Sequence, residues 1–496
     1  MASSKALSGE LYSDDILYLS VRELGQRIRA RKLSPVKLAE SYLERSQTLG
    51  AKLNAYAVLT PEITLREAAA AEREIGAGKY RGPLHGIPYA AKDLLAVSGY
   101  PTTWGARPFA GQKFGSDAAV IERLRAAGAV LLGKAAMIEL AGGMGYHFGN
   151  ASISGPAHNP WNEDCWTCGS SSGSGAIVAA ALAAFAIGTE TWGSIVCPSA
   201  YCGVSGLRPT YGRVSRHGAM ALSFSMDKIG PMARSAEDCG LILAAIAGHD
   251  PADPGSLPAA DAAFSYAPGA AGDQVGDAGR RPGGAGRTKL RVGWLSKQWK
   301  KMDAGVEAAL KAAVGLLKTN GFDFSDAELP DDKGAFGAAA GTIISVEGAS
   351  AFEALIDSGR VSQLVDDQGR LGGYINRQIP ASDFLRAQRL RAVAQKKMAA
   401  LFEKYDVLCA ASLPVTATML SDDLDKALDF ADPIGGIGNL CGLPAISVPC
   451  GFTGEGSAKL PVGIQFIGPP LGEAALLRAA RALQQHTDWH KRRPPV

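Results

Sequence analysis

Apolar positions near the start of the chain recur at helical spacing: Leu38, Tyr42 and Leu43 share one face. Ser34-Pro35 ahead of them supplies an N-cap and a first-turn proline. A second helical stretch over 68–75 stops at Gly76, so residues 1–80 read as an N-terminal helical region. The pattern then shortens. Gly82-Pro83-Leu84-His85-Gly86-Ile87-Pro88-Tyr89-Ala90-Ala91-Lys92-Asp93 is an apolar strand entered through turn residues and left through a Lys-Asp pair. A helix is expected over 119–127 and a short buried strand over 129–132, and this alternation points to an α/β layer protein. It resumes with strands at 289–294 and 322–329 around a helix at 305–317. Strands at 406–411, 445–449 and 462–467 and a last helix at 473–486 follow. The longest wholly apolar run, 176–187, has twelve residues, too few for the roughly twenty that cross a bilayer, and reads as a buried helix. Between the two halves, 251–287 is rich in Ala, Gly, Pro and Asp and reads as a surface excursion.

Composition narrows the function classes. Length alone, at about 150 residues per domain, suggests roughly three domains for 496 residues. With 47% hydrophobic and 20% charged residues the chain can build a large core. Lys+Arg 51 against Asp+Glu 48 gives a charge of +3, too balanced for a nucleic-acid surface. The basic run His490-Lys491-Arg492-Arg493 reads as a solvated tail. No apolar leader follows Met1, so a cytoplasmic location is expected. Eight cysteines in so long a chain do not make a disulfide framework. Cys165-Trp166-Thr167-Cys168 has knuckle spacing but lacks a second pair or a histidine pair to complete four ligands, so no metal is expected.

The chemistry concentrates between 169 and 210. Gly169-Ser170-Ser171-Ser172-Gly173-Ser174-Gly175 precedes the apolar run, which places backbone N–H groups at a helix N-terminus, where negative charge is favoured. By composition it also reads as a flexible loop. By pattern, Gly169 to Gly173 matches G-x-S-x-G, but that motif needs a preceding strand, and 162–168 does not read as one. A second loop, Gly188-Thr189-Glu190-Thr191-Trp192-Gly193-Ser194-Ile195-Val196-Cys197-Pro198, presents another serine.

Taken together, the ordered motifs resemble the amidase signature family. They are Gly86-Ile87-Pro88 to Lys92-Asp93, Gly128-Ala129-Val130-Leu131-Leu132-Gly133-Lys134, Asn159-Pro160-Trp161, the two serine loops, Cys202-Gly203-Val204-Ser205-Gly206-Leu207-Arg208-Pro209-Thr210 and Asn439-Leu440-Cys441-Gly442-Leu443-Pro444. The resemblance implies an α/β fold with a mixed central sheet flanked by helices on both faces, and a single catalytic domain over 1–496. It implies Ser194 as nucleophile, Ser170 as a bridging serine on a cis peptide, Lys92 as base, and backbone N–H groups of Thr191, Trp192, Gly193 and Ser194 as the oxyanion hole. The interval of twenty-four positions from 170 to 194 is the family's own and favours Ser170 over its neighbours. A lysine serves as base only when neutral, and the apolar run ahead of Lys92 suits the burial that lowers its pKa. No cofactor is implied.

Two positions leave the family pattern: Trp192, where a small or acidic residue is commoner, and Cys168, in place of a glycine. Trp192 with Gly143, Met144, Gly145 and Tyr146, where the family often lines its pocket, suggests an apolar or aromatic substrate group. The stretch 188–198 looks closer to stand-alone peptide, aryl-acyl and nylon-oligomer amidases, and to urethanases that cleave carbamates, than to the A-type component of the tRNA amidotransferases. The expected partner is therefore a small amide or carbamate, with a homodimer as the assembly considered and neither nucleic acid nor membrane. The alternatives are an A-type component of an amidotransferase complex, and a Ser-His-Asp esterase that would depend on a histidine such as His217.

Overall fold

The computed structural model describes residues 11–267, 274–277, 289–299, 301–330, 333–428, 432–454 and 459–496. Its central feature is an eleven-stranded sheet. The strands are β1 (Tyr56–Leu59), β2 (Pro88–Lys92), β3 (Val130–Ala135), β4 (Phe185–Glu190), β5 (Ser205–Arg208), β6 (Lys228–Ala233), β7 (Arg291–Trp294), β8 (Asp323–Asp326), β9 (Val407–Ala411), β10 (Ala445–Thr453) and β11 (Leu460–Ile467). Their spatial order is β1-β3-β2-β4-β6-β5-β10-β11-β9-β7-β8. β2 runs parallel to β3 and β4, while β6, β5, β10 and β11 form an antiparallel middle. In β2, β3, β4, β6 and β9 every residue is buried. Successive side chains of a strand point to opposite faces, so burial at each position means that both faces of the sheet are covered.

The N-terminal helices include α1 (Val21–Arg29), α2 (Pro35–Lys52) and α3 (Pro61–Gly76). Ser34 caps α2, its hydroxyl accepting the Lys37 amide at 3.1 Å, and Leu38, Tyr42 and Leu43 are buried. The region is not helical throughout: β1 sits between α2 and α3 and pairs antiparallel with β3. Four residues with no fixed face of their own leave little periodic signal, and the pairing partner lies more than seventy positions away.

The apolar run 176–187 is not one helix. α4 (Ser172–Ala179) ends inside it and β4 begins inside it. Ala181 adopts φ 50°, and the Leu182 amide donates to Ile177 O at 2.9 Å, which closes the helix with a Schellman turn made by alanine instead of glycine. Both halves are wholly buried, so no polar face marked the change of period. Residues Asn162–Trp166 do form a strand, in a two-stranded ribbon with His158–Asn159 outside the main sheet. Cross-strand partners, not alternation, hold this polar segment. The first part of 251–287 also packs: Phe264–Ala267 pairs with Gln274–Asp277, and Phe264, Tyr266 and Ala262 are buried. The remainder of that stretch lies outside the described residues. Later helices include α5 (Val196–Cys202), α6 (Ala335–Ala351), α7 (Asp367–Asn376), α8 (Ala381–Lys404) and α9 (Pro433–Leu440). Among the described residues no helix is long and apolar enough to cross a membrane.

Candidate active site

β2 and β4 are adjacent and parallel, so their C-terminal ends carry Lys92 and Thr189 to the same edge of the sheet, where ligand sites of parallel sheets lie. The serine-rich segment enters from the side. A side chain at Gly173 would meet Ala55 O at 2.3 Å and Ala136 N at 2.5 Å, so the start of α4 lies directly on backbone. The Gly173 amide donates to Ala136 O at 2.9 Å. The Ser171 and Ser174 hydroxyls donate to Thr189 O and Ile187 O, and every residue from Gly169 to Gly175 is buried. The segment is a fixed part of the core, not a flexible loop. The Gly169–Ser170 peptide is cis.

Lys92 is fully buried, with Ser170 Oγ at 2.7 Å, Thr189 Oγ1 at 2.9 Å and Ser171 Oγ at 3.0 Å from Nζ. Ser171 directs its proton at Thr189 O, 3.2 Å away, and so accepts from Lys92. The Ser170 and Ser194 hydroxyls stand 3.0 Å apart. Burial lowers the Lys92 pKa to about 7, against the raising influence of Asp227 and Glu190. The neighbouring Asp93 turns away and pairs with buried Lys134 at 2.8 Å. Among the described residues, no histidine bonds to Ser170, Ser171 or Ser194, and the His217 amide donates to Ser215 instead.

The loop 191–194 is held from three sides by carboxylates. Thr191 Oγ1 donates to Asp227 Oδ1 at 2.5 Å and Trp192 Nε1 to Asp432 Oδ2 at 2.8 Å. Glu190 Oε2 accepts the Ile195 and Val196 amides at 2.8 and 2.9 Å. Gly193 takes φ +81°, a conformation that disfavours side chains. Among the described residues, none of the Thr191, Trp192, Gly193 and Ser194 amides donates to a protein acceptor. Burial pushes Glu190 upward, but Arg208, the Val196 amide and Lys228 outweigh it and hold the carboxyl at about 2. Arg208 Nη1 lies 2.5 Å from Glu190 Oε1, which also accepts Asn439 Nδ2 at 3.1 Å. Lys228 is itself held at about 7, chiefly by burial.

The expected pocket residues take different places. Trp192 rests on Gly435 and Gly436 of α9, where added side chains would meet its ring at 2.9 and 3.1 Å. Tyr146 stands edge-on to Trp166, with its hydroxyl 3.4 Å from where a Gly169 side chain would begin. Met144 is buried, and its carbonyl abuts Gly372 of α7. Gly143 faces Leu222 and Phe352, and Gly145 faces Gln368. A cavity of about 170 Å³ adjoins the centre along Thr189 and Thr191, walled by Leu94, Met220, Leu222 and Ile229. None of Gly143, Met144, Gly145, Tyr146 and Trp192 lines it. Thr189, Asp227 and Asp432 escaped the sequence reading, because threonine and aspartate beside turns carry no distinctive spacing. His147, Asp366 and Asp367 also converge, with the His147 and Phe148 amides donating to Asp366 Oδ2 at 2.9 and 3.2 Å. Cys165 Sγ lies 3.8 Å from Met419 Sδ, and all eight cysteines are free thiols.

The family model named Amidase matches residues 37–477, a span that contains Lys92, both serine loops and Asn439. The chain belongs to the amidase signature family. Among its relatives, the A component of the glutamyl-tRNA(Gln) amidotransferase of Geobacter metallireducens is 35% identical over 97% of this chain and 100% of that one. The corresponding component from Cupriavidus metallidurans is 37% identical over 96% and 98%. The solved peptide amidase of Stenotrophomonas maltophilia is 32% identical with a TM-score of 0.79, covering 96% and 98%. The solved amidotransferase component of Thermotoga maritima is 25% identical with a TM-score of 0.74, covering 96% of this chain and 97% of that one. The chain is thus similar along its whole length both to amidotransferase components and to a stand-alone peptide amidase.

In this amidase the Glu190–Arg208 pair is sealed from solvent. Glu190→Gln is expected to destabilise the fold by about 3–5 kcal/mol, because Arg208 would keep its charge without a counter-charge. Thermal unfolding of the purified variant checks this, and an unchanged midpoint would refute it.

Proposed function

We propose that the chain is a serine amidohydrolase that cleaves the C–N bond of small amides, anilides or carbamates. The observation that carries this is the buried chain of contacts from Lys92 through Ser170 to Ser194. An ammonium at Lys92 would offer N–H groups to all three hydroxyl neighbours. A neutral amine offers two, to Ser171 and Thr189, and keeps a lone pair for the proton of Ser170. In the acylation step the Ser170 proton passes to Lys92 and the Ser194 proton to Ser170 while Ser194 Oγ bonds to the carbonyl carbon. The oxyanion meets the free amides of 191–194. Collapse breaks the C–N bond, and the proton returns from Lys92 through Ser170 to the leaving nitrogen. Water repeats the sequence on the acyl-enzyme. The apolar wall of the adjoining cavity, Leu94, Met220, Leu222 and Ile229, supports an apolar or aromatic substituent.

The curated relatives favour a second reading, an A-type amidotransferase component that releases ammonia for a partner. The two separate in one assay of the purified chain with p-nitroacetanilide, a peptide amide, a phenylcarbamate, a linear oligoamide and glutamine. Turnover of an anilide, peptide amide, oligoamide or carbamate at least tenfold faster than of glutamine supports the hydrolase. Ammonia from glutamine alone, with co-purification of further subunits, replaces it with the amidotransferase.

A further inference from the structure

Strand β6 begins at Lys228, directly opposite Glu190 in the antiparallel pair with β4. The residue before it, Asp227, therefore faces the residue after Glu190, Thr191, where the anion-binding loop starts. Asp227 is held at three points. Oδ1 accepts the Thr191 hydroxyl at 2.5 Å, and Oδ2 accepts the Leu222 and Ser223 amides at 2.8 and 2.9 Å. One carboxylate thus ties the first residue of the loop to the turn that precedes β6. We infer that Asp227 is a positioning residue for the amidase reaction, acting through Thr191 to aim the loop amides at the developing oxyanion. This rests on the proposed roles of Ser194 and Lys92.

Two geometric facts make the Thr191 link consequential. The loop amides have no protein acceptor among the described residues, so their direction is set by what holds the side chains and ends of the loop and by the Gly193 carbonyl, which accepts the Cys197 amide at 2.8 Å. Glu190 fixes the far end through Ile195 and Val196, and Asp432 fixes the middle through Trp192, which leaves the near end to Asp227. A donor displaced by about 1 Å can cost on the order of a hundredfold in rate. The charged groups in play around Lys92 are Asp227 and Glu190, both of which favour its protonated form. Burial raises the Asp227 pKa, opposed in part by its bonds from Thr191, Leu222 and Ser223 and by the charge of Lys228.

The test is labelling of Ser194 by a fluorophosphonate, in which the Ser194 oxygen bonds to phosphorus, fluoride leaves and Lys92 takes the proton through Ser170. Labelling rates are followed from pH 5.5 to 9.5 with folded protein verified by thermal melting. Thr191→Val, which removes only the hydroxyl, is expected to slow labelling about ten- to a hundredfold without moving the acid limb of the profile. Thr191→Ser is expected to restore most of the rate. Asp227→Asn, which keeps the shape but weakens the acceptor of the Thr191 hydroxyl, is expected to slow labelling similarly. Wild-type labelling by Thr191→Val or by Asp227→Asn overturns the inference. If Asp227→Asn does not fold, Thr191→Val and Thr191→Ser decide alone. Labelling that persists in Ser194→Ala overturns instead the underlying assignment of the nucleophile.

Discussion

Replacing Ser194 with alanine is expected to lower amide turnover by about 10⁴- to 10⁶-fold, the scale on which removal of a serine nucleophile acts when the surrounding donors survive. The residual rate should be small, because the other hydroxyls are committed. Ser171 bonds to Thr189 O and Lys92, Ser172 to Ala136 O, and Ser170 stands between Lys92 and Ser194 with no free access of its own. The substitution removes one oxygen at a nearly buried position and leaves the Glu190 anchor of the loop intact, so stability should change little. A burst of acyl-enzyme in wild type, absent from Ser194→Ala by intact-mass measurement, would locate the covalent intermediate. Turnover within tenfold of wild type in the variant would remove Ser194 from the mechanism.

The second large effect concerns pH. Only neutral Lys92 can accept the Ser170 proton, and burial holds its pKa at about 7. The rate should therefore climb roughly tenfold per pH unit below about 7 and level off above it. Glu190 stays ionised across this range, its carboxyl being held at about 2 mainly by Arg208 against the effect of burial. Lys92→Met, close in shape and without a titrating group, is expected to lose about 10³-fold or more at pH 8. Turnover by wild type measured from pH 5.5 to 10 checks the profile. A rate that keeps rising toward pH 10 would mean a lysine of ordinary basicity and an exposed site.

The order of elements was largely legible because it follows from local pattern. Ser34-Pro35 opens α2 through a cap that one hydroxyl supplies, and the strands at β2, β3, β7, β9, β10 and β11 are short apolar runs between turn residues. The misread places share a cause. In 176–187 both the helix and the strand are buried all round, so hydrophobic period could not separate them, and the break was made by Ala181. At β1 and at Asn162–Trp166 the strand exists because a partner strand supplies hydrogen bonds that the segment's own pattern does not announce.

The site divides in the same way. The resemblance to the family pointed to Lys92, Ser170 and Ser194, because each lies inside a short motif that can be matched along the sequence. Gly143, Met144 and Gly145 pack against Leu222, α7 and Gln368, contacts with distant parts of the chain that no local pattern announces.

The sequence by itself determined an α/β chain with two serine loops and a lysine at the end of an apolar strand, since these are properties of neighbours a few residues apart. Only the tertiary structure decided that Lys92 is sealed from water, that Thr189 and Ser171 complete its surroundings, and that Asp227, Asp432 and Glu190 hold the loop with its amides free. Burial and the meeting of groups from widely separated parts of the chain are set by how the sheet brings strands together, and no local pattern encodes them.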